Sequence, residues 1–319
     1  MMISLLPLVL AAAIAVESPA AQAAPQAAAQ PNPQGLAPAS DQTVDVARGT
    51  RLTVDNQAGE VVMRAWDRDA VRVVARHSSR ARVNLRQTDG ALFISNRGSM
   101  GAIDYEITVP SWMPVKVSGL YNYIELNGMG AEVTVENVRG DIDIRGGRGF
   151  VTAKSIEGSI KISGTQGKVT AVTVNDDLAV ENASGELNVE STNGNLTMTG
   201  IQATSVSAAT VNGRVIFAGA LADKGRYQFT THNGRIELRL QQNPNATFYV
   251  RTYEGSFRQS LNLKPQGEPR SGRRNTYIAG NGSAQVELES FNGSVRLLGP
   301  GAVVDDKDKD DDHDLRERQ

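Results

Sequence analysis

The sequence has no cysteine, which excludes disulfides, thiolate metal sites and a lipid-modified cysteine anchor together. Aromatic residues make up 5% of the chain, too few for a base-stacking platform. The three histidines (His77, His232 and His313) lie far apart and do not suggest a multi-histidine metal centre. A formal net charge of −2 implies no general attraction to nucleic acid. Beyond the N-terminus no apolar run approaches the length of a membrane span. No cofactor, no metal, no nucleic-acid partner and no transmembrane segment after processing are therefore expected.

The N-terminus reads as an export signal. Residues 3–16, ISLLPLVLAAAIAV, are too short for a membrane span, and Ala21-Gln22-Ala23 fits a signal-peptidase site. No Lys or Arg precedes the apolar run. Residues 1–23 are expected to be a signal peptide and 24–42 a disordered Ala/Pro/Gln linker. A charged tail, expected to be disordered, occupies 300–319. Its aspartates lack the spaced ligands and glycine turn of an EF-hand loop.

Between these ends, apolar pairs recur every nine residues. Ile124/Leu126, Val133/Val135, Ile142/Ile144 and Val151/Ala153 begin the series, which runs to Leu196/Met198. Flanking positions are polar apart from Tyr123, Phe150 and Ala179, so each unit is a strand with one buried face. Alternate turns differ. NVRG, SIEG, TVND, STNG, TVNG, THNG, TYEG and SFNG stand at one side, while turns starting with Gly128, Gly146, Gly164 or Asn182 stand at the other. The repeat unit is thus about eighteen residues. The pattern predicts an all-β, parallel β-helix-like solenoid over 43–299, built from nine-residue strand-turn units, with each coil stacked on the last and a loop inserted at 260–282. A corner Ser or Thr can bond its own turn or the stacked copy.

VENVRGDIDI, AKSIEGSIKIS, VENASGELNV, ESTNGNLTMTG, SAATVNGRVIF and ESFNGSVRLL resemble a bacterial adhesin-like β-strand-repeat family of unknown function, as does the opening LTVDNQAGEVVMRAWDRDAVRV. The resemblance covers roughly 43–298. It implies a β-helix-like fold and an envelope or secreted location, and supplies no catalytic residues.

The chain lacks G-x-S-x-G, H-E-x-x-H and a phosphate loop. Asp141 and Asp143, with Asp176/Asp177 two coils on, read as a solvated outer face or as an acid–base pair. The second turn residues run Val138, Ile156, Val174, Thr192, Val211, His232, Tyr253 and Phe291. They read as a third core column, or at the C-terminal end as an aromatic strip for sugar rings formed by His232, Tyr253 and Phe291 with Tyr249 nearby. Arginines 72, 76, 80, 82 and 86, and 270, 273 and 274 in the insert, read as solubilising charge or as contacts to anionic polymers. The expected function is a non-catalytic exported scaffold or adhesin-like binding module, periplasmic, cell-surface or secreted, for an envelope glycan or protein. The alternatives are a β-helix enzyme acting on acidic polysaccharide and a periplasmic module with a protein partner.

Overall fold

The apolar pairs of the repeat all turn inward. In the computed structural model, which describes residues 38–302 except 79, 97–100, 271 and 273, each of those side chains from Ile124 to Met198 is at most 3% exposed. No helix occurs among the described residues. The strands are β1 (Pro38–Asp45), β2 (Arg51–Trp66), β3 (Ala70–His77), β4 (Asn84–Thr88), β5 (Ala91–Ser95) and β6 (Ile103–Pro110). Next come β7 (Val115–Met129), β8 (Val133–Glu136), β9 (Ile142–Gly146), β10 (Arg148–Lys154), β11 (Ile160–Ser163), β12 (Gln166–Val172) and β13 (Leu178–Glu181). Then follow β14 (Ser184–Asn193), β15 (Leu196–Asn212), β16 (Val215–Gly219), β17 (Arg226–Asn233), β18 (Ile236–Leu240) and β19 (Ala246–Glu254). The last are β20 (Phe257–Gln259), β21 (Lys264–Pro265), β22 (Asn275–Ala279), β23 (Ala284–Asn292) and β24 (Val295–Leu298).

Two parallel faces result. On face A the neighbours run β5, β2, β7, β8, β10, β12, β14, β15, β17, β23, β19. On face B they run β6, β2, β7, β9, β11, β13, β15, β16, β18, β24, β20. Long strands β2, β7 and β15 bend round a corner and serve both. Their inner side chains form one continuous apolar interior. Each fully buried Val, Ile or Leu contributes roughly 1.5–3 kcal/mol, so coils hold one another rather than standing alone. Parallel partners sit eighteen residues apart through the regular block, as in Val133↔Val151 and Val169↔Leu187.

Stacking explains the turn residues more fully than backbone conformation does. A Cβ at Gly194 would lie 1.9 Å from the Asp176 carbonyl oxygen, and one at Gly213 2.0 Å from that of Gly194. Gly234 and Gly293 meet the same obstruction, so the column is glycine because successive turns press backbone on backbone. Beside it runs a buried hydroxyl column that bonds the stacked copy. Thr210 Oγ1 donates to Gly194 O at 3.0 Å, Thr231 Oγ1 to Gly213 O at 3.0 Å and Ser290 Oγ to Gly234 O at 3.1 Å. Outside it, Asn193 donates to Asn175, Asn212 to Asn193 and Asn233 to Asn212 at 2.7–2.9 Å, an exposed amide ladder.

The coils do not stack strictly in chain order, as the repeat alone suggests. β23–β24 inserts between β17–β18 and β19–β20, and the β5–β6 coil lies outside β2. A nine-residue period specifies a coil's shape and leaves its neighbours to the connecting segments. Both ends are finished by antiparallel strands: β1 on β3 and β3 on β6, β4 on β5, β22 on β19, and β21 on β22. These interrupt the parallel edge that would otherwise template another chain. β1 begins inside the stretch read as linker, tied to β3 by the Asp41–Arg72 ion pair at 2.6 Å. The insert read at 260–282 supplies β21 and β22, with Tyr277 against Phe257 at 5.0 Å between ring centroids. The stretch read as a signal peptide and the aspartate-rich part of the tail lie outside the described residues.

Candidate functional site: a corner ridge and its hollow

The second turn residues are not a core column. In space they run Leu120, Val138, Ile156, Val174, Thr192, Val211, His232, Phe291, Tyr253, one per coil, over about 38 Å at the usual strand spacing. Leu120 is 47% exposed, Ile156 48%, Val211 44% and Phe291 42%, so the column is a ridge on the surface. The turn explains this: its first side chain (Ser155, Thr173, Thr210) points into the interior, where Thr173 and Thr210 bond the stacked turn, and the second must therefore point out. Exposure does not force apolarity, because the next column along the same turns is Arg139, Glu157, Asn175, Asn193, Asn212 and Asn233.

At the C-terminal end the ridge becomes aromatic. His232 and Phe291 stack at 4.7 Å with 9° between their planes, and Tyr253 packs on Phe291 at 4.9 Å. Because β23 inserts between β17 and β19, Phe291 is the middle ring, an order that differs from the chain's. Its faces are used within the ladder, which presents ring edges outward. Arg251 lies over Tyr253 at 4.8 Å.

Beside this ladder lies a hollow of about 490 Å³. Val211, His232, Phe291 and Tyr253 form one wall, Ala209 and Thr230 line it below, and Glu190 and Glu289 flank it. The hollow exists because one outward column of face A reads Glu190, Ala209, Thr230, Glu289, with two small side chains between two long ones. The Glu-Ser dipeptides at 190–191 and 289–290 were visible in the sequence but carried no signal until the register placed them on one column.

Tyr249 does not join this group. It lines a separate depression on face A with Arg226, Gln228 and Glu287, and Arg274 covers it at 4.3 Å from the ring centroid. The carboxylates considered as catalytic have structural partners. Asp141 accepts from Ser159 N and Oγ at 2.8 Å, and Asp177 accepts from Asn195 N at 2.8 Å. Asp176 accepts from Gly158 N at 2.7 Å, and Asp143 pairs with Arg145 at 2.6 Å. Asp141, Asp176 and Asp177 staple successive coils, and Asp143 pairs within its own strand. The N-terminal arginines are dispersed likewise, Arg72 on Asp41, Arg76 on Glu106 and Arg86 over Phe93. Among the described residues no cluster of three His, Cys, Asp or Glu side chains could hold a metal ion.

No curated protein matches the chain. Among solved structures, a candidate adhesin of Bacteroides fragilis is similar at 12% identity, covering 82% of this chain and 96% of that one, with a TM-score of 0.40. A candidate cell adhesion protein of Clostridium sporogenes is similar at 10% identity, covering 82% and 99%, with a TM-score of 0.26. Residues 49–298 match the family described as Toastrack DUF4097, an all-β domain of unknown function, and the chain belongs to it.

Proposed function

We propose that the protein is a non-catalytic, exported binding module of the cell envelope, and that its ligand is a glycan seated in the corner hollow. The observation that carries this is the apolar, aromatic wall facing Glu190 and Glu289 across Ala209 and Thr230. Aliphatic groups and ring edges offer dispersion contact to the apolar faces of sugar rings, while carboxylates and threonine hydroxyls suit sugar hydroxyls. The flanking carboxylates favour neutral or amino sugars and repel acidic ones. The N-terminal ridge from Leu120 to Val174 extends the same contact line, so a long chain gains many weak contacts at once.

Export rests on the apolar N-terminal stretch and its Ala21-Gln22-Ala23 site. Tyr249 stands as a second, independent contact point. The stapling roles of Asp141, Asp176 and Asp177, and the pairing of Asp143 with Arg145, weigh against the enzyme reading. Calorimetric titration with neutral and amino-sugar oligosaccharides tests the proposal. Changing Glu190 and Glu289 together to Gln is expected to weaken binding by tenfold or more, since two charge-assisted hydrogen bonds are lost. Unchanged affinity would remove the hollow from the account.

A further inference from the structure

Face A carries a second depression, of about 310 Å³, on strands it shares with the corner hollow. Its outline follows from side-chain size in two outward columns. One reads Ser205, Arg226, Gln285, Thr247 and the other Ser207, Gln228, Glu287, Tyr249, across β15, β17, β23 and β19. The two serines keep the surface low at the β15 end. At the β19 end stands Tyr249, with Arg274 over its ring at 4.3 Å.

The charges in this depression do not cancel. Glu287 is the one carboxylate among the described residues that line it, and its Oε1 is already paired with Arg274 Nη2 at 3.1 Å. Arg226 is exposed, and among the described residues no hydrogen bond, ion pair or ring engages its side chain. Around it stand the hydroxyls of Ser205 and Ser207 and the amides of Gln228 and Gln285, all able to donate. An uncompensated guanidinium among neutral donors suits a carboxylate, which accepts two parallel N–H bonds from the arginine fork. The corner hollow has the opposite sign, with Glu190 and Glu289 at its flanks.

The two sites are neighbours. Gln228 and Thr230 on β17, like Glu287 and Glu289 on β23, are two residues apart, about 7 Å along the strand. From Arg226 to Thr230 is about 13 Å. Adjacent or next-but-one sugars of a single glycan chain cover such distances.

We propose that the face A depression is an acid-binding subsite, in which Arg226 holds the carboxylate of an acidic sugar while a neutral or amino sugar of the same chain fills the corner hollow. The ligand class narrows to glycans that mix acidic with neutral or amino sugars. The pairing of subsites rests on the proposed role of the hollow, whereas the acid subsite rests on the surroundings of Arg226.

The test is calorimetric titration of the full chain with an oligosaccharide of alternating N-acetylated amino sugar and uronic acid, and with the same oligosaccharide reduced at its carboxyls. The acidic form is expected to bind at least tenfold more tightly in low salt. Arg226→Gln, which removes no structural contact, is expected to abolish that preference. Arg64→Gln, at an exposed arginine on face B, is expected to keep it. Equal affinities for the two forms, absence of binding by both included, would overturn the subsite. So would a preference that survives Arg226→Gln or that Arg64→Gln removes as well. The reduced form reads the hollow separately: if it fails to bind while the preference for the acidic form depends on Arg226, the subsite holds and the hollow's role falls.

Discussion

At the scale of single residues, glycines needed for space differ from glycines needed for backbone conformation. Gly213→Ala places a methyl against a backbone carbonyl of the neighbouring coil, which cannot yield without moving the stack. A loss of roughly 3 kcal/mol or more is expected in chemical denaturation. Gly164 has φ near +66° and open space around it, so Gly164→Ala is expected to cost about 1 kcal/mol. Tyr105 offers a test of opposite sign. Its hydroxyl is buried without a hydrogen-bond partner among the described residues, and burial pushes its phenol pKa far above the ordinary tyrosine value. The resulting stability is fully present below pH ~10, where an unfolded tyrosine stays neutral, and declines as pH rises beyond it. Tyr105→Phe is expected to raise stability at neutral pH by about 1 kcal/mol and to reduce the decline above pH 10. Thermal melts across pH 7–11 read both effects.

At the scale of strand and turn, the hydroxyl column sets which turn residue faces in. Thr231→Val keeps the shape and strips the donor from Gly213 O, so a loss of about 1–2 kcal/mol is expected, with the ridge unchanged. The strands and the two turn types were legible because period two and period nine are written into every unit, from Ile124/Leu126 to Leu196/Met198. The ridge was half legible. The second turn residues stood out as a column, but periodicity gives no sign of in or out at a corner, where alternation stops. Only the inward hydroxyls of Thr173 and Thr210 fix that direction. The hollow was not legible, since it needs Glu190, Ala209, Thr230 and Glu289 aligned across nonconsecutive coils.

At the scale of the whole molecule, stability passes between spatial neighbours, and chain order differs from spatial order at both ends. Ending the chain after Gly282 removes β23–β24 from between β17–β18 and β19–β20. Amides of 246–279 are then expected to lose hydrogen-exchange protection, while those of 133–189 retain it. Protection surviving in 246–279 would mean that β19 can rest directly on β17. The same insertion assembles the aromatic ladder, because it sets Phe291 between His232 and Tyr253.

The claim that this corner is a ligand site is tested most directly by measuring affinity and melting temperature together for Phe291→Ala. The ring is 42% exposed and makes two ring contacts, so the loss of stability is expected to stay near 1–2 kcal/mol. The account predicts that oligosaccharide affinity falls by tenfold or more while the fold persists. Affinity that stays level as the melting temperature drops would show the ladder to be a structural corner alone and would contradict the assignment.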